Sequence, residues 1–308
     1  MSVIARTISE GRSGIILLDK PQGITSHDAV AKTRKAAGTR KVGHAGTLDP
    51  MATGLLVLGL NSSTRLLTYV VGLDKEYFAT IRLGQSTSTD DAEGETVTTK
   101  DASGIPDPAG LEPYLDALRG EISQVPSSVS AIKVDGKRAY ALVRAGETVE
   151  LKSRAVTISA LEVLDYRPGA IAELDVRVEC SSGTYIRAIA RDLGAALGVG
   201  GHLTALRRTR IGPFLVSDAA TIEWLDPEAS MLGPVDVASR LFPVLDLEPQ
   251  QAVDLSHGKR LDVAYPDGGP VAAVTADGRL AGLVTINKGR ARPLVNFPTD
   301  EYTSKDPA

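Results

Sequence analysis

Apolar and polar positions along this chain follow two periods, and between them they outline its elements. Ile15-Ile16-Leu17-Leu18 is an unbroken apolar run closed by Asp19-Lys20-Pro21-Gln22-Gly23, the pattern of a buried strand entering a turn. Ser26 then reads as a helix N-cap, with Asp28 in the first turn, Lys32, Arg34 and Lys35 in the last turns, and Gly38 at the C′ position. Leu55 to Leu60 predicts a core strand, and Ser62 or Ser63 the cap of a short helix through Val70. From Glu76 to Leu83 the period is two, which places Tyr77, Ala79, Ile81 and Leu83 on one face. Residues 85–110 are rich in Ser, Thr, Asp, Gly and Pro and predict a loop. Leu111, Tyr114, Leu115 and Leu118 then mark an amphipathic helix ending at Gly120.

Further on, Gln124–Ser128 and Lys133–Arg138 predict an exposed, partly basic excursion. Alternation from Val156 to Leu164, and again from Leu174 to Cys180, predicts two strands. Ser181-Ser182-Gly183 turns the chain into a helix whose apolar face is Ile186, Ile189, Ala190, Leu193 and Leu197. Tyr185 and Arg187 fall in its first turn. A cation there opposes the helix dipole, so Arg187 calls for a specific anion partner. The proline-rich stretch 226–250 is the expected domain boundary. Beyond it, Val271–Val274 and Leu280–Val284 flank Asp277-Gly278, a hairpin signal, and the last ten residues predict disorder.

One stretch stands apart, Gly43-His44-Ala45-Gly46-Thr47-Leu48-Asp49-Pro50-Met51-Ala52-Thr53-Gly54. Its glycines permit close backbone approach and unusual dihedrals, and Pro50 fixes the chain directly after a lone carboxylate. An acid held on so rigid a turn suits chemistry. On local physics alone an ordinary Asp-Pro turn explains it as well, and somewhat more simply.

Composition narrows the classes. A chain of 308 residues with 43% hydrophobic and 23% charged residues has room for one large core, or one core plus a small module. Its single cysteine, Cys180, excludes an intramolecular disulfide and a cysteine-based zinc cluster, and reads as a small buried hydrophobe. No secretory pattern opens the chain, and no apolar run approaches the roughly 20 residues that span a bilayer. A cytoplasmic location without membrane contact is the expectation. The formal net charge of -4 weighs weakly against a nucleic-acid partner. Residues 1–60, however, carry eight Lys/Arg against four acids, and Arg207-Arg208-Thr209-Arg210 forms a second basic knot. Local patches of this kind set phosphate affinity, although most charge runs are simply solvated faces.

The Gly43–Gly54 string resembles the catalytic motif of the TruB branch of pseudouridine synthases. Gly14–Pro21 is similar to that family's opening Lys-Pro motif, Lys75-Glu76-Tyr77 to its tyrosine motif and Gly183–Arg187 to its late Tyr/Arg motif. Ala205–Thr209 resembles its Leu-Arg-Arg signature, and Ser130–Val134 falls in its RNA-contacting thumb. The chain departs from the family at Pro126-Ser127-Ser128, where consecutive prolines are common. The resemblance implies an α+β pseudouridine synthase fold: a mixed, largely antiparallel sheet flanked by helices, with a small β-rich C-terminal domain of the PUA type. The implied division is a catalytic domain at 10–240 with a thumb-like insertion at about 124–152, a PUA-like domain at 245–298, and a tail at 299–308.

The implied activity is isomerisation of the T-loop uridine of tRNA (position 55) to pseudouridine by a monomer without an obligate protein partner. Such a reaction breaks an N-glycosidic bond and rejoins the ring through carbon, so it calls for no redox cofactor and no metal. It does need one carboxylate, which Asp49 supplies as nucleophile or base. Arg187 would pair with Asp49 and lower its pKa. The target base must be flipped out, and Tyr77 would stack on it. His44 would support the rearranged loop, Tyr185 and Leu206 would line the pocket, and Lys20, Arg207 and Arg208 would meet phosphates. Three other readings stay open: a tRNA-folding chaperone, a guide-RNA-dependent synthase, and a sugar glycosidase, which usually needs a second carboxylate.

Overall fold

The computed structural model describes residues 12–127, 133–134, 137–138 and 151–297. The start of the chain, most of the expected thumb with Ser130, Ala131 and Ile132, and the expected tail lie outside the described residues. These residues form two compact units, one of 12–49, 54–71 and 213–297, the other of 50–53 and 72–212.

In the first unit, strand Gly14–Lys20 pairs antiparallel with its neighbour from Gly14↔Leu60 to Lys20↔Gly54. It also runs parallel to Ala220–Thr221 and antiparallel to Met231–Leu232, so the sheet is mixed. The apolar runs that predicted these strands are buried on both faces, as fully covered strands are. Helix Ser26–Ala37 lays Ala29, Val30 and Ala37 against Ile16, Leu18, Leu56, Leu58 and Leu60. Its N-cap is Thr25, not Ser26: Thr25 and Asp28 form a reciprocal capping box, which frees the Ser26 hydroxyl for another task. Gly38 ends the helix at φ 64°, where a Cβ would be strained. Neither Ser62 nor Ser63 caps the 3₁₀ turn Asn61–Leu66; both bond the buried Ser13 hydroxyl instead.

Residues 226–250 are folded rather than open, with helices Pro227–Ser230 and Pro234–Leu241 each carrying proline at its start. The β-rich C-terminal sheet has the order Val244–Leu247, Gly268–Thr275, Leu280–Asn287, Arg290–Asn296, Leu261–Asp262. Its central hairpin turns at Asp277-Gly278, and helix Pro249–Ser256 helps close a core of Leu245, Leu255, Val271, Val284 and Ile286.

The second unit is an antiparallel sheet in the order Gly201–Ile211, Lys75–Leu83, Ala172–Cys180, Arg154–Arg167, Gly120–Gln124. The pleat sorts its residues cleanly. Tyr77, Ala79, Ile81 and Leu83 share the buried face with Leu174, Val176, Val178 and Cys180. The other face carries a cross-strand charge ladder in which Arg82 meets Glu173 and Arg177 meets Glu76. Helix Ile186–Ala196 approaches the sheet so closely that a Cβ on Gly194 would lie 2.2 Å from the Gly200 backbone. Helix Pro108–Asp116 stops short of Gly120, which instead opens the edge strand. The expected loop after residue 85 contains a small hairpin of Gln85–Thr87 and Thr96–Thr99.

Candidate active site

Strand Val42–Ala45 leads into the glycine-bounded turn of the first unit. Gly46 at φ 84° and Gly54 at φ 101° bracket it, and both angles suit glycine alone. The Ser26 hydroxyl, released from capping, accepts the Leu48 N–H at 2.8 Å and donates to the Leu48 carbonyl at 3.0 Å. A buried side chain thereby pins both backbone groups of the residue before Asp49, whose own side chain is half-buried. His44 meets His27 edge-on, with ring centroids 5.8 Å apart. Lys20 is placed otherwise than a phosphate contact requires. It is wholly buried, and its Nζ donates to the carbonyls of Pro21 at 2.9 Å and Ile24 at 2.8 Å. An enclosed ammonium has to direct its protons at acceptors, and here they hold the turn that starts the helix.

In the second unit, Thr53 at the end of the same motif accepts from Arg207 Nη1 at 3.4 Å. Arg208 stands directly opposite Tyr77 in the neighbouring strand, and Leu206 opposite Ala79, so all three line one face. Arg208 is 1% exposed and therefore acts as an interior cation rather than an open phosphate ligand, while Arg207 points to the other side, half-buried. Lys75 opens the Tyr77 strand on that same face and donates to the Leu73 carbonyl at 2.5 Å. Burial, reinforced by the positive charge of Arg208, brings the Lys75 pKa down to about 8. Opposite it, burial pushes the Cys180 thiol up to about 11, which leaves it an inert packing group.

Tyr185 is the N-cap of helix Ile186–Ala196 but supplies no side-chain cap. The buried amide of Gln124 pins the backbone of this N-cap residue from the edge strand, accepting the Tyr185 N–H at 2.8 Å and donating to its carbonyl at 3.0 Å. Of the exposed excursion expected at Gln124–Ser128, only Val125 is exposed among the described residues; Gln124, Pro126 and Ser127 are buried. Arg187, 5% exposed, has a definite anion: Nη1 reaches Asp91 Oδ2 at 3.0 Å and the Thr89 carbonyl at 2.9 Å. Asp91 is itself fixed by Thr89 Oγ1 and the Glu93 N–H. Sequence reasoning gave no site role to Ser26, Asp91 or Gln124: it read Ser26 as a cap and Gln124 as the start of an exposed stretch, and Asp91 lay within a predicted loop. A planar ring laid against Tyr77 would have Leu206 beside it on the same face, with Lys75 and Arg208 on that face as well.

Comparison with known proteins adds the rest. The model described as "TruB family pseudouridylate synthase (N terminal domain)" matches residues 34–186. "tRNA pseudouridylate synthase B C-terminal domain" matches 187–236, and "tRNA Pseudouridine synthase II, C terminal" matches 242–298. The protein named tRNA pseudouridine synthase B from Leifsonia xyli subsp. xyli is 59% identical over 295 residues, covering 94% of this chain and 98% of that one. Its namesake from Arthrobacter sp. is 53% identical over 305 residues, 95% and 99% of the two chains. Among solved structures, a chain of an H/ACA RNP bound to a substrate RNA containing 2'-deoxyuridine superposes with a TM-score of 0.69 at 26% identity, over 94% of this chain and 87% of that one.

Proposed function

The chain belongs to the TruB family of pseudouridylate synthases, an isomerase that turns uridine of tRNA into pseudouridine, and we propose that Asp49 is its catalytic carboxylate and the T-loop uridine its target. The observation that carries this reading is the Ser26 clamp on Leu48, which presents Asp49 from a turn bracketed by two left-handed glycines. A carboxylate held so rigidly loses little entropy on meeting a flipped nucleotide. Tyr77 then stacks on the extruded uracil, recovering about 1–3 kcal/mol of the flipping cost. Arg187, already oriented by Asp91 and by a helix start that Gln124 holds, is to pair with Asp49 in the reaction. His44 supports the opened RNA loop, and Tyr185 with Leu206 completes the pocket wall.

Lys20 and Arg208 serve this chemistry from the interior, Lys20 by holding its turn and Arg208 by biasing the Tyr77 face. Phosphate contact falls instead to exposed cations, among them Arg260, Lys288, Arg290 and Arg292 of the β-rich C-terminal sheet, in a monomer working in the cytoplasm. The test uses a tRNA transcript tritiated at C5 of uridine, since forming the new carbon–carbon bond expels that hydrogen. Wild type should release one equivalent of tritium per tRNA, and Asp49→Ala none above background. Equal release by the variant would remove Asp49 from the chemistry.

A further inference from the structure

Trp224 is the only tryptophan of the chain, and 81% of its surface is exposed. Tryptophan is on average a well-covered residue, so an indole standing free requires a reason. The segment carrying it is not loose. Ile222 and Leu225 on either side pack into the core beneath helix Ser26–Ala37, and the following helix, Pro227–Ser230, lies against the same helix. The chain is anchored before and after Trp224 and turns this one side chain outward.

Its place in the first unit follows from strand register. Ala220–Thr221 runs parallel to strand Gly14–Lys20, with Leu18↔Ala220 and Asp19↔Thr221. Residues 222–224 therefore continue past the carboxyl end of that strand. The Lys20–Ile24 turn lies at this end, Lys20 pairs with Gly54, and Ser26 holds Leu48 beside Asp49. Trp224 thus shares an end of the sheet with the Asp49 turn. The immediate neighbours, Glu223 and Asp226, are exposed carboxylates that keep the segment at the surface. An exposed aromatic face at the end of the sheet that carries the Asp49 turn fits an unstacked nucleobase, because every base offers a π-face.

We propose that Trp224 stacks on an unpaired nucleobase of the tRNA other than the target uridine, extending the RNA contact beyond the catalytic turn. This rests on the tRNA reading above and can fail apart from it. The lone tryptophan supplies its own probe. Titrating Asp49→Ala, which keeps the tRNA unconverted, with tRNA transcript should quench the emission and move it to shorter wavelength. In the tritium assay, Trp224→Ala in an otherwise wild-type chain should raise KM for tRNA about fivefold or more with kcat unchanged. Trp224→Phe, which keeps a ring, should recover most of that loss. Unchanged emission at saturating tRNA, or an unchanged KM in the alanine variant, overturns the contact while leaving the activity standing. A wild type that neither binds nor converts tRNA overturns both.

Discussion

Lys75 sits enclosed on the Tyr77 face, with its ammonium on the Leu73 carbonyl and the charge of Arg208 close by. Burial first, and that like charge second, lower its pKa from the ordinary 10.5 to about 8. Between those two values the unfolded chain keeps a proton that the folded chain has lost. Stability at this position is therefore lowest below about pH 8 and rises as pH climbs toward 10.5. Lys75→Met removes the dependence. Urea unfolding from about pH 7 to about pH 10 should show wild type gaining on the order of 2 kcal/mol relative to that variant. A constant difference between the two would mean that the amine does not titrate in this window. The same cation biases the face on which the uracil is to lie, so Lys75 links folding cost to site electrostatics.

At the scale of elements, helix Ile186–Ala196 shows how a site residue is positioned from far away in sequence. Its first turn carries Arg187 against the dipole and has no side-chain cap, and Gln124, 61 residues earlier, holds the backbone of the residue that starts it. Gln124→Ala should lower stability by about 1–3 kcal/mol, as leaving buried backbone groups without their hydrogen bonds does. It should also reduce kcat for tRNA with little change in KM, because the helix start that aims Arg187 loosens. An unaltered kcat alongside the expected loss of stability would make the Gln124 contact purely structural. Elements of this kind were readable from pattern where burial repeats: strands Gly14–Lys20 and Lys75–Leu83, the core of helix Ser26–Ala37 and the Asp277-Gly278 hairpin all follow their periods. What pattern could not carry was partner choice. Thr25 and Ser26 are both competent caps, and only packing against Leu48 decides which one caps and which one clamps. Asp91 and Gln124 join groups about 60–100 positions apart, a distance over which no local period runs.

For the whole molecule, the motif Gly43–Gly54 was visible as a string, and its meaning came from the resemblance rather than from local physics. The same string is where the chain leaves the first unit after Asp49 and returns to it at Gly54. The pinned carboxylate and His44 belong to the first unit; Tyr77, Leu206 and the Asp91–Arg187 pair belong to the second. The lysine and arginines read as phosphate ligands were harder, since a cation in sequence carries no sign of burial. Lys20 and Arg208 proved to be interior residues, Arg207 half-buried against Thr53. The account comes down to one carboxylate acting at one uridine. Mapping pseudouridine nucleotide by nucleotide in a tRNA transcript treated with wild type or Asp49→Ala tests that directly. The account predicts a single modified position, in the T loop, with wild type and none with the variant. Modification outside the T loop, or an identical map from the variant, would contradict it.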